Sequence, residues 1–125
     1  MSGQAGACPF CSADGALLSN RLAYARYDKF PVTRGHFLIL PYRHVADFFE
    51  VTLEERQAML SLVDEAKALL DRGFRPDGYN LGVNVGAAAG QTVFHVHLHL
   101  IPRYQGDVEN PLGGVRGVIP ARQHY

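Results

Sequence analysis

The stretch HVHLHL at residues 95–100 puts an imidazole at every second position of an otherwise aliphatic run. Side chains of a β-strand alternate between its two faces. A strand here therefore carries His95, His97 and His99 on one face and leaves Val96, Leu98 and Leu100 on the other, free to enter a core. Three histidines in strict alternation, in a chain with six in all, are too regular for an incidental solvated face. Just upstream, GAAAGQT at 86–92 is too small and flexible for anything but a loop. Its backbone N–H groups could meet an anion, because small side chains let a ligand come close.

Outward from this stretch, YNLGVNV (79–85) reads as a strand, and HFLIL (36–40) as a central strand that Pro41 stops. LLSNRLAYARYD (17–28) reads as one strand, or as two short strands broken at Ser19-Asn20. Between these lies one clear helix. Thr52 and Glu55 form a capping box, each side chain satisfying the other residue's free backbone N–H. Met59, Leu62, Val63, Ala66, Leu69 and Leu70 follow as an apolar stripe at three- and four-residue spacing. Gly73 suits the position just past the helix end, and Pro76 forbids continuation. Beyond Pro102 the chain is rich in Gly and Pro, with GGVRGVIP at 113–120, and reads as an ordered but irregular tail. Strands, one major helix, then strands joined by a short loop predict an α+β domain. Its antiparallel sheet has the helix on one face and the histidines on the other.

At 125 residues the chain is the size of one domain. Lys+Arg and Asp+Glu balance at 12 each, so no basic field exists to gather nucleic acid. No apolar run approaches the ~20 residues that span a bilayer. MSGQAGACPF lacks the basic and apolar regions of a secretory signal, so a cytoplasmic location is expected. In that compartment Cys8 and Cys11 are not expected to form a structural disulfide.

Two chemistries suit the histidines. Two imidazoles at i and i+2 can grip zinc in a metal-dependent hydrolase, although no carboxylate lies in the strand or the loop before it. Alternatively one imidazole acts as a nucleophile toward phosphorus while its neighbours donate hydrogen bonds.

HVHLHLI at 95–101 fills the pattern His-φ-His-φ-His-φ-φ, where φ is hydrophobic. With DKFPVTRGHFLILPYRHV (28–45), YNLGVNVGAAAGQTVFHVHLHLIPRY (79–104) and CPFC (8–11), the chain resembles the histidine triad family of nucleotide hydrolases and transferases. The resemblance implies a single domain over 1–125, with tails at 1–7 and 105–125. It also implies a sheet of about five antiparallel strands, one long helix and one short one, with the sheet extended across a homodimer. By the same resemblance His97 attacks the α-phosphorus of a nucleotide, His99 binds phosphate or leaving-group oxygens, His95 supports the site and His36 braces the triad. Gln91 and Thr92 are expected to bind phosphate, and Asn84 to face the same site. Asp28 is expected to take the ribose, where a carboxylate accepts from two vicinal hydroxyls. Phe10 and Leu38 match apolar positions around the base, Leu38 being equally readable as plain core.

In zinc-bearing members the resemblance implies a structural Cys2His2 site of Cys8, Cys11, His44 and His95. No catalytic metal or organic cofactor is expected. NPLGGVRGVIP (110–120) resembles the tails of bacterial members akin to diadenosine polyphosphate hydrolases, and Arg116 is expected to reach the active site of its own or a partner subunit. The implied substrate is a dinucleoside polyphosphate or another AMP-yielding nucleotide. A nucleoside phosphoramidase or nucleotidyl transferase is the alternative enzyme, and a nucleotide-binding module with vestigial catalysis the alternative of another class.

Overall fold

The computed structural model describes residues 8–125, so the tail expected at 1–7 lies outside the described residues. Five strands, β1 (Leu18–Ser19), β2 (Ala23–Tyr27), β3 (Phe37–Pro41), β4 (Gly78–Val83) and β5 (Leu98–Arg103), form one sheet in the order β1-β2-β3-β5-β4. All its pairings are antiparallel. A single long helix, α1 (Leu53–Gly73), packs on one face. The expected short helix is a 3-10 turn at Phe48–Glu50, and two more such turns, Gly114–Val118 and Pro120–Arg122, order the tail.

The core sits between α1 and the sheet. Leu98 and Leu100 of β5 join Phe37 and Ile39 of β3 and Ala23 and Ala25 of β2 against Met59, Leu62, Ala66 and Leu70 of the helix. Each large aliphatic side chain so buried stabilises the fold by roughly 1.5–3 kcal/mol. On the opposite face Tyr24, Leu38 and Leu40 make a smaller cluster under Phe10 and Ala13. The capping box forms as expected: Thr52 Oγ1 accepts from Glu55 N at 3.0 Å, and Glu55 Oε1 accepts from Thr52 N at 2.8 Å.

Three expectations need correction. The histidine strand, expected to include all of HVHLHL from His95 on, begins only at Leu98. Val96 N donates to Val45 O at 2.7 Å, and Val96 buries itself with Val45 and Val51 in a separate cluster. That contact pulls the chain out of the sheet, so His95 and His97 precede β5. Gly73 is not the residue past the helix end. It is the last residue of α1, Phe74 caps it, and Arg75 takes the left-handed conformation at φ 49°. Pro102 lies inside β5 rather than after it, while β3 does stop at Pro41, which is its last residue. Each proline pairs on one side only, Pro41 with Ala23 and Pro102 with Tyr79, where a missing N–H costs no ladder bond on the other side. Among the described residues no helix is long and apolar enough to cross a membrane.

Candidate active site

The face of the sheet away from α1 carries a cavity of about 380 Å³. His97, His99, Asp28, Leu38, Phe10, Asn84 and Thr92 are among the residues that line it. His97 and His99 have ring centroids 5.0 Å apart, and Phe10 meets His97 edge-on at 5.1 Å.

Hydrogen bonds settle which ring nitrogens hold protons. His97 Nδ1 lies 2.8 Å from the His95 carbonyl oxygen. A carbonyl only accepts, so Nδ1 carries a hydrogen, and in the neutral ring the lone pair is on Nε2. Among the described residues that Nε2 has no hydrogen-bond partner. His36 Nδ1 accepts from Val32 N at 3.1 Å, so its Nε2 donates to His99 Nδ1 at 2.9 Å. His99 in turn must carry its hydrogen on Nε2. Burial, reinforced by the nearby His97 and His36 rings, pushes His99 down to about 4. Burial also holds His36 below the ordinary imidazole value. Both rings are therefore neutral near pH 7, as the relay of donors requires.

Asp28 Oδ2 stands 3.5 Å from His36 Nε2, a long contact to a neutral ring rather than an ion pair. Its Oδ1 accepts from Phe30 N at 2.8 Å, which fixes the carboxylate in the cavity lining. Leu38 is both things it was read as, a buried member of the Tyr24 cluster and a cavity-lining residue. The loop before the histidines is a 3-10 turn, Ala87–Ala89, held between Gly86 (φ 89°) and Gly90 (φ 96°), conformations that glycine alone adopts without strain. Gln91 lines the cavity, yet its amide is committed elsewhere: Oε1 accepts from Gly86 N, and Nε2 donates to Ala46 O and Val93 O. It clamps the loop rather than presenting itself to phosphate. Thr92 and Asn84 face the cavity without such ties among the described residues.

Arg116 does not reach this cavity. Its guanidinium donates to the carbonyls of Arg122 and Gln123 and lies 4.4 Å from the Tyr125 ring centroid, within the tail itself. Sequence reasoning missed Arg26 and Lys29, which line the cavity. For Arg26 a signal existed: it is two residues before Asp28 on a strand, hence on the same face.

His95 belongs to a second cluster. Its ring is fully buried, and Nε2 donates to Pro41 O at 2.8 Å, leaving the Nδ1 lone pair 3.4 Å from Cys8 Sγ and 3.6 Å from Cys11 Sγ. His44 Nδ1 lies 3.2 Å from Cys11 Sγ, and all four donor atoms fall within 4.8 Å of one another. Metal–S bonds of about 2.3 Å and metal–N bonds of about 2.0 Å put tetrahedral S···N edges near 3.5 Å, so this group could hold a metal ion. The carbonyl behind His95 is the usual partner of a ligating imidazole. A further trio, Asp28, His36 and His99, also lies close together. There the His36 proton occupies the nitrogen a metal would need, and the 2.9 Å separation is that of a hydrogen bond.

The HIT domain family matches residues 12–106. An uncharacterized HIT-like protein of Mycoplasma genitalium is 39% identical over 104 residues, covering 78% of this chain and 74% of its own. The AP-4-A phosphorylase of Mycobacterium tuberculosis is 33% identical over 103 residues, 80% of this chain but only 52% of that protein. Among solved structures, a Zn-bound histidine triad family protein from Mycobacterium smegmatis superposes with a TM-score of 0.75 at 33% identity, covering 85% of this chain and 81% of the other. The match over most of the chain, with the spaced histidines gathered at one cavity, makes this chain a member of the HIT domain family.

Proposed function

We propose that this protein is a nucleotide hydrolase acting at the α-phosphate of dinucleoside polyphosphates, through a covalent intermediate on His97. The observation that carries the reading is the 2.8 Å bond from His97 Nδ1 to the His95 carbonyl, which puts the neutral ring's lone pair on Nε2 in a ring that lines the cavity. In the first step the Nε2 lone pair forms a bond to the α-phosphorus as the P–O bond to the leaving polyphosphate breaks. His99 Nε2–H, oriented by His36, donates to the departing oxygen or to a non-bridging one. Water then attacks the nucleotidyl-histidine from the vacated side, releasing a nucleoside monophosphate and restoring His97. Thr92 and Asn84 are read as phosphate-side contacts, and Asp28 as the acceptor for the ribose hydroxyls.

The cluster of Cys8, Cys11, His44 and His95 is read as a structural zinc site. With four protein donors it has no open position for water, so zinc there ties the segment carrying Phe10 to the rest of the domain and supplies no reaction chemistry. The exposed edge of β4 is read as the seam of a homodimer, in a cytosolic protein whose thiols stay reduced.

Mass spectrometry of protein quenched during turnover of a diadenosine polyphosphate tests the reading. A nucleotidyl adduct on the peptide holding His97 is expected, and His97→Ala should lose adduct together with roughly four or more orders of magnitude in kcat. Turnover without an adduct, or turnover surviving in His97→Ala, overturns it. The M. tuberculosis relative's name favours a second reading, in which inorganic phosphate rather than water takes the nucleotidyl group. Incorporation of labelled phosphate into the nucleotide product would identify it.

A further inference from the structure

We infer that Arg26 determines which nucleobase the cavity accepts, selecting a base that offers two adjacent acceptors, as guanine does with O6 and N7. The inference rests on the nucleotide reading above and names the substrate class of that same site. Arg26 belongs to β2 and is only 5% exposed, yet it lines the cavity. Among the described residues it has no acidic partner. Its one hydrogen bond there runs from Nε to Tyr27 O at 3.3 Å, leaving both terminal nitrogens uncommitted. Gly15 closes over the guanidinium, its Cβ position 3.8 Å from Arg26 Cζ. The side chain is thus held in place while its two terminal nitrogens stay open to a ligand in the cavity.

Strand register says which part of the ligand that is. Arg26 pairs with Leu38, and Leu38 with His99, so the three stand in one row across the sheet. Two strand spacings, roughly 10 Å, separate the Arg26 and His99 backbones. A phosphorus held at His97 and His99, with the ribose over Asp28, carries its base over Leu38 toward Arg26 and leaves the guanidinium remote from the reacting phosphate. The parallel donors of a guanidinium match O6 and N7 of guanine, whereas adenine sets an N6 donor against one of them. The AMP-yielding substrate implied by the family resemblance is thus a further expectation that this cavity argues against.

Calorimetric titration of the intact protein with GMP, IMP and AMP tests this. GMP and IMP, which share O6 and N7, should bind on the order of tenfold or more tighter than AMP. Arg26→Leu should bring that ratio close to one. Because two ligands are compared on one preparation, the ratio does not depend on how much of a variant is folded. Arg26→Lys keeps the charge without the fork and should also lose most of the ratio. AMP binding as tightly as GMP, a preference that survives Arg26→Leu, or full discrimination by Arg26→Lys each overturns the assignment. If none of the three nucleotides binds, the nucleotide reading falls and this one with it. If they bind without an Arg26-dependent ratio, only the base assignment falls.

Discussion

His99 is the residue where local chemistry and stability meet. Its folded-state value near 4 lies well below the ordinary imidazole value of 6.5. Between those two values the unfolded chain binds a proton that the folded chain refuses, so stability rises with pH across that window and is lost as pH falls through it. His36 is shifted the same way and adds to the slope. Urea unfolding at pH 4.5 and 7 should show wild type losing more stability than His99→Gln, a comparison that cancels the acid sensitivity of the cysteine–histidine cluster. Equal losses would mean that the ring is not held neutral. Residue roles were only partly legible in the sequence. Spacing alone singled out the trio His95, His97 and His99, and only the family resemblance gave its members separate roles. Spacing could not show that Gln91 would turn its amide to three backbone groups of its surroundings, because those partners are assembled by the folded loop and by Ala46, far off in the chain.

Among the elements, α1 was the most legible, since its cap and its stripe are encoded within one segment. What the segment does not contain is Arg43. Its guanidinium grips the almost buried Glu55 through Nε and Nη2, both at 2.9 Å. Glu55 therefore serves the helix start and the chain after β3 at once. Thr52→Ala should cost about 1 kcal/mol, the usual worth of a cap. Glu55→Ala should cost more, because it frees the Thr52 N–H and removes the two charge-assisted bonds from Arg43 as well. Chemical denaturation of the two variants side by side checks the order, and a smaller loss for Glu55→Ala would show that Arg43 finds other partners. The histidine strand was less legible for the converse reason. Alternation specifies faces, but the strand's start is decided by Val96 docking on Val45, a contact spanning 51 positions that no local pattern carries.

At the scale of the whole molecule, the cysteine–histidine cluster joins the segment at residues 8–11 to the stretch after β3 and to the chain entering β5. Ligands spread over some 90 residues make a weak pattern without the family resemblance, and the fold alone brings them within bonding range. Chelator treatment should release about one zinc per chain and lower the thermal transition, with both restored by added zinc; a transition unmoved by complete metal removal would deny the cluster its structural part. The exposed edge of β4 was not legible at all, since an edge is a property of strand order rather than of any strand.

His95 holds the His97 ring by its main chain and faces the cysteines with its own ring. If His97 is the nucleophile proposed above, an alanine scan of the trio would rank His95 beside it for the wrong reason. The truncated residue keeps the carbonyl that fixes the His97 tautomer and loses only the anchor that holds that carbonyl still. Damage at His95 should look like wandering aim rather than absent chemistry, and it should come with a looser protein, which a change at His97 need not bring.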